Sequence, residues 1–312
     1  MVDDKVVTDF LCLRELGTAT AEVLAEEIKQ ELEDRGLSLH NCVAIMCDSA
    51  NVMRGAKGGL IACLKKEFPQ ILDIGGCCLH HVHNSASSAM LTLGHELEDI
   101  LDEIFIYLRY AKSARAFEES QRLMNLKPLK CLRRVETRWL QIYDVIMRLL
   151  ELYHPLKSHL AAQPASVRQK GRVKDIIKFL DDAHSLVYMN FVLFALAPLK
   201  KFELLFQTSE PVIHLLHEHI IDLISTVCHA FIRSEFVGEF KNLDNVASVP
   251  LNKQISDEEI LIGDDARKAL RNDHLTALQI SRFYNRVREF YTRLLNSLIH
   301  YLPVASFILR SV

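Results

Sequence analysis

The sequence predicts an α/β segment followed by a large all-helical region. Three observations predict it: hydrophobic periodicity alternates between strand and helix up to His80, strand signals then vanish, and apolar stripes at helical spacing take over. With 312 residues, of which 49% are hydrophobic and 25% charged, the chain can bury a real core as one large or two ordinary domains.

Taken in order, "KVVTDFLCLREL" (5–16) reads as an extended strand. "TATAEVLAEEIKQELEDRG" then places Ala21, Leu24, Ala25, Ile28 and Leu32 at helical spacing and stops at Gly36. "NCVAIMCD" is a short continuous apolar run of the kind buried on both faces of a sheet, and "GLIACLKKEF" is a helix ended by Pro69. "ILDIGGCC" is another strand. Beyond it, Leu97, Ile100, Leu101, Ile104, Phe105 and Leu108 stripe one helix, and Ile142, Val145, Ile146, Leu149, Leu150 and Tyr153 another. The expected division is residues 1–94 for the α/β part and 95–312 for the helical part, with breaks near 161–172 and 243–254. Ser256 with Glu259 resembles a capping box opening the next helix.

Composition narrows the function classes. A net charge of −3 provides no global basic field for nucleic acid, so any such contact is local. The eight cysteines are scattered and mostly lie within apolar runs, as reduced thiols do in intracellular proteins, so the expected compartment is nuclear or cytoplasmic. The acidic start "MVDDKVVTDF" is not a secretory signal. The longest apolar run, "LVYMNFVLFALAPL", is too short to span a bilayer, and no membrane partner is expected.

Three clusters carry chemistry. In "VAIMCDSANVMRGAKGGLIACLKK", the loop lacks the Gly-Lys-Ser/Thr ending of a phosphate-binding loop. Asp48, at the carboxyl end of a strand, is placed either to hold a divalent cation or to cap the turn that follows. In "CCLHHVHNSASS", Cys77, His80, His81 and His83 invite a zinc reading, while Cys77 and Cys78 as strand core and the histidines as helix openers form the plainer one. In "RRVETRWLQIYD", Trp139 either anchors a helix on the core or stacks a base while Arg133, Arg134 and Arg138 grip phosphates.

The order of these clusters is more specific than any one of them. A strand ending in Asp48, then Ser-Ala-Asn-x-Met and Gly, then Cys-x-x-His after the next strand, then "TRW" opening a helical region, resembles the hAT superfamily of DNA transposases. More narrowly it is similar to the domesticated copies in vertebrate host proteins of the BED and MYM zinc-finger type. The resemblance continues through "PLKKFELLFQTSEPVIHLLHEHIIDLI" and "FYNRVREFYTRLL". It implies a ribonuclease-H-like sheet interrupted by a large helical insertion. It makes Asp48 the second of three catalytic carboxylates, places Cys77 and His80 at the Cys-x-x-His position with the histidine near the scissile phosphate, and assigns Arg138 and Trp139 to a displaced base at the transposon end.

Two departures from the family pattern shape the expected function. The first catalytic Asp lies on a strand ahead of a segment like 5–16, and the third carboxylate, a Glu, follows the insertion; neither has a counterpart here, so the expectation is a fragment truncated at both ends. One carboxylate cannot organise two-metal phosphoryl transfer. The expected function is therefore that of a catalytically inactive, domesticated module associated with DNA or with protein partners, with no cofactor beyond weak Mg²⁺ or Mn²⁺ binding at Asp48. A nuclease completed by another chain and a zinc-dependent structural module are the alternatives. The missing central strand further implies an exposed edge at residues 42–47, open to self-association, against which "KVVTDFLCLREL" either pairs or stays loosely attached.

Overall fold

A computed structural model describes residues 9–48, 50–94, 96–135, 140–208, 212–238, 249–271 and 275–302. The chain is mostly helical with a small parallel sheet, and its contacts divide it into two compact units. One comprises Met1–Val82, Leu204–Ile220 and Tyr301–Val312, the other His83–Glu203 and Ile221–His300.

In the first unit, α1 (Ala21–Asp34) leads to β1 (Ala44–Cys47), the short α2 (Asn51–Arg54), α3 (Leu60–Glu67) and β2 (Leu72–Gly76). The two strands pair in parallel, as strand–helix–strand connections dictate. Helices α1 and α3 pack together, and Ala25, Leu39, Leu60, Leu64, Phe68 and Ile71 form a core to which Ile45 adds from β1. The polar end of α1 is held by charge: Glu31, only 6% exposed, accepts from Arg35 Nε at 2.6 Å and from Arg14 Nε at 2.8 Å. Those two guanidinium groups, Arg35 first, hold its carboxyl below the ordinary value.

Two expectations for this unit are corrected. Residues 9–16 form no strand, and Phe10 and Leu13 are 74% and 90% exposed. Arg14 instead ties the segment to α1 through Glu31, which satisfies its charge at the helix surface. Residues 5–8 of the expected strand lie outside the described residues. Strand β1 is not buried on both faces: on the side opposite Ile45, Ala44 is exposed and Met46 is 54% exposed. Ile45 packs on the core, and among the described residues β2 is the only strand that pairs with β1.

The second unit takes up α4 (Cys78–Met90), whose first turn belongs to the first unit, and continues through α5 (Glu96–Arg109), α6 (Ala111–Leu123), α7 (Gln141–Glu151), α8 (Tyr153–Ala161), α9 (Ala165–Arg168) and α10 (Gly171–Asp181). It is completed by α11 (Ala183–Phe206), α12 (Leu216–Phe231), α13 (Asp264–Leu270) and α14 (Ala277–Tyr301), except that residues 204–206, 216–220 and Tyr301 belong to the first unit. The stripe on α5 buries Leu97, Ile100, Leu101, Ile104 and Leu108, and that on α7 buries Ile142, Val145, Ile146 and Leu149. Helix α11 is apolar over most of its length and buries Val187, Met189, Phe191, Val192, Leu196 and Leu199, while Phe194, Lys201 and Leu204 stay exposed. Phe191 meets Phe283, Phe290 and Tyr291 of α14 edge to face, with centroids 5.3–5.8 Å apart. Ser256 and Glu259 close a single turn rather than opening a helix. The chain on either side is tied to the end of α12 by Ile255 N–H to Phe231 O and Leu261 N–H to Ala230 O, so the turn cannot propagate. Of the expected break at 243–254, residues 243–248 lie outside the described residues.

One polar group sits deep among these helices. His159 of α8 is 2% exposed, with Nε2 3.0 Å from Tyr107 Oη of α5 and Nδ1 3.1 Å from Ser120 Oγ of α6. Ser120 donates to Ala116 O, so it accepts from Nδ1–H, and Tyr107 donates to Nε2. The ring is thereby held neutral, and burial lowers its proton affinity. A folded value below the unfolded one, about 6.5, means the native state binds fewer protons; the stabilisation is complete above that pH and is lost as pH falls toward the folded value. The urea midpoint of the wild type is expected to drop more than that of His159→Phe between about pH 7.5 and about pH 5.5. Equal drops would show that another group controls acid stability.

Candidate functional site at the carboxyl edge of the sheet

Parallel pairing brings the ends of β1 and β2 to one edge, and the sequence places its chemistry there. Cys47 ends β1 and Asp48 follows it; Cys77 follows β2, its N–H donating to Cys47 O at 3.1 Å. Asp48 and the start of α4 are thus neighbours at the strand ends.

Asp48 is exposed, and its Oδ1 accepts from Ala50 N–H at 2.9 Å, closing an Asx turn just ahead of α2. The glycines that follow serve the chain's own path. A Cβ on Gly59 would lie 2.4 Å from Gly55 N, so only glycine permits the tight crossing between α2 and α3.

Sequence reasoning missed the residues that dominate this edge. Arg54, at the end of α2, donates Nη1 to Asp73 Oδ1 and Nη2 to Asp73 Oδ2 of β2, both at 2.8 Å, a two-pronged bond that joins helix to strand. Asp73 Oδ1 also accepts from Gly75 N–H at 3.0 Å. That side-chain turn and the φ of +99° at Gly75 insert an extra residue into β2, so the register passes from Ile45 opposite Asp73 to Cys47 opposite Gly76. Burial alone would raise the Asp73 carboxyl, but the Arg54 hydrogen bonds, Gly75 N–H and nearby positive charge together hold it below the ordinary carboxylate value. The only signal in the sequence was an acid inside an apolar strand ahead of two glycines.

The expected ligands diverge. His80 is exposed. His81 is buried and stacks on Tyr301 at 5.4 Å, while His83 Nε2 lies 2.9 Å from Glu203 Oε1. Successive helical residues point about 100° apart, which disperses such a run instead of converging it. Cys77 is half-buried, and burial pushes the neighbouring Cys78 thiol up to about 11, away from the thiolate a metal requires. Among the described residues no group of three or more His, Cys, Asp or Glu side chains is placed to hold a metal ion. Nor does a magnesium or manganese pair suit the carboxylates at the edge: Asp48 uses one oxygen in its turn, and both oxygens of Asp73 face a guanidinium.

In the third cluster, Arg134 is neutralised instead of free to grip phosphate. Its Nη1 reaches Glu98 at 2.9 Å and its Nη2 reaches Asp102 at 2.7 Å, both on α5. Gln121 bonds both N–H and C=O of Leu129, and Arg148 holds Lys130 O. These three clamps fix the extended strap that precedes residues 136–139. Arg133 is exposed on the strap; Arg138 and Trp139 lie outside the described residues.

Comparison with protein families, with curated proteins and with solved structures finds no match. Among the described residues no helix is long and apolar enough to cross a membrane.

Removing one partner of the Arg54–Asp73 pair leaves the other partly buried and unpaired. Asp73→Asn is expected to cost about 1–3 kcal/mol in urea unfolding near neutral pH, and adding Arg54→Met should cost less than the two single changes summed. The pair's contribution is present above about pH 3.9, the unfolded carboxyl value, and is lost as pH falls through the lower folded value. Strict additivity would show that the two side chains do not act together.

Proposed function

We propose that this chain is a domesticated, hAT-transposase-like module without catalytic activity, with a ribonuclease-H-like origin for its small sheet, that associates with nucleic acid in the nucleus. The observation that carries the reading is the capture of Asp73 by Arg54 beside Asp48. A fixed guanidinium occupies the edge where phosphoryl transfer would need converging carboxylates and dications, and the remaining carboxylate closes its own turn. The order of Asp48, Cys77–His80 and Arg138–Trp139 supports the transposase origin. Arg133, exposed on a strap clamped from α5, α6 and α7, supports contact with a polyanion at the start of the Arg–Trp segment.

Incubation of the full chain with Mg²⁺ or Mn²⁺ and duplex or hairpin-ended DNA is expected to yield neither nicks nor joined products. Metal-dependent cleavage that vanishes in Asp48→Ala would instead favour a nuclease completed by a second copy or another chain.

Binding is expected to be weak and salt-sensitive, because a chain of net charge −3 makes few phosphate contacts. Trp139→Ala should weaken binding to hairpin or unpaired ends by about 1–3 kcal/mol, the value of one stacked base, with a smaller effect on duplex. Equal losses on both substrates with a lowered melting temperature would make the indole a core anchor, and no DNA binding at any salt would leave protein partners as the module's targets.

A further inference from the structure

The second unit contains a cavity of about 410 Å³ between α11, α12, Leu261 and α14, within the range of about 300–1,000 Å³ usual for small-ligand sites. Ala195, Val227 and Ala230 form its floor and are each at most 5% exposed. Small side chains facing each other across α11 and α12 leave the concavity that larger ones would fill.

The polar groups bordering the floor are already satisfied. Tyr291 Oη donates to Leu261 O at 2.7 Å, and Thr226 Oγ1 donates to Asp222 O at 2.8 Å. The body of an occupant is therefore required to be apolar. The wall is preformed: Phe194, 39% exposed, sits against Gly263, where a Cβ would come within 2.8–2.9 Å of its side-chain carbons. Glycine at that position lets the backbone support the ring directly.

Charge enters at the rim alone. Lys201 lies seven residues beyond Phe194, on the same face of α11, and is exposed with no ion pair among the described residues. Its neighbour Lys200 contrasts with it, bonding Asp144 at 3.1 Å and Glu203 at 2.9 Å. An apolar cavity with one uncompensated ammonium at its mouth complements a molecule with an apolar body and one negative end.

We propose that this cavity binds an amphipathic monocarboxylate of the straight-chain fatty-acid class, its chain against Ala195, Val227 and Ala230 and its carboxylate at Lys201. The test is calorimetric titration of the full chain with decanoate and with decylamine, which share a chain length and differ in the sign of charge. Decanoate binds saturably and decylamine roughly tenfold more weakly, the scale of one charge-assisted contact. Lys201→Glu, at an exposed position that does not threaten folding, reverses this preference, and Thr226→Phe, which crowds the exposed rim, weakens both ligands. Absence of saturable decanoate binding, equal affinity for the two ligands, or an unchanged preference in Lys201→Glu would overturn the proposal.

Discussion

The carboxyl edge of the sheet depends on one interaction, the paired hydrogen bonds between Arg54 and Asp73. They join the short helix after β1 to Asp73, the second residue of β2, and Asp73 at the same time shapes the extra residue in β2 through Gly75 N–H. Among the described residues the sheet has two parallel strands, a minimal platform whose strands need the helices that connect them to remain aligned. The side chain that fastens α2 to β2 also fixes a positive charge against Asp73.

The strand–helix–strand order around residues 44–76 was legible because its signals are local: a short apolar run, an amphipathic helix stopped by Pro69, and a second run. The Asx-turn role of Asp48 was legible as one of two readings for the same reason. What stayed hidden was set by partners distant in sequence. Residues 9–16 have the composition of a strand, yet Arg14 finds Glu31 on α1, seventeen residues away, and the segment follows the helix instead. Continuous apolarity in β1 suggested two covered faces, but coverage depends on which elements pack above each face, and Met46 stays 54% exposed. Arg134 looked like a phosphate contact beside Arg133 and became an internal clamp because Glu98 and Asp102 share the facing side of α5.

The helical unit shows the same division between what is local and what is not. Its stripes were readable at helical spacing, and most of those positions are buried. His159 gave no signal in the sequence; its neutral state comes from hydroxyls on two other helices. The cavity beside α11 is likewise a product of which small residues oppose one another across helices, and periodicity carries no information on opposition.

The proposal turns on the ion pair of Asp73 and the turn of Asp48 being closed to a cation. Carbon-13 NMR of the aspartate carboxyls during a Mg²⁺ titration tests it most directly. The account predicts that Asp73 stays ionised to below the ordinary carboxylate range and that its resonance does not move with Mg²⁺. Saturable shifts of the Asp48 and Asp73 carboxyls with one shared midpoint would contradict it.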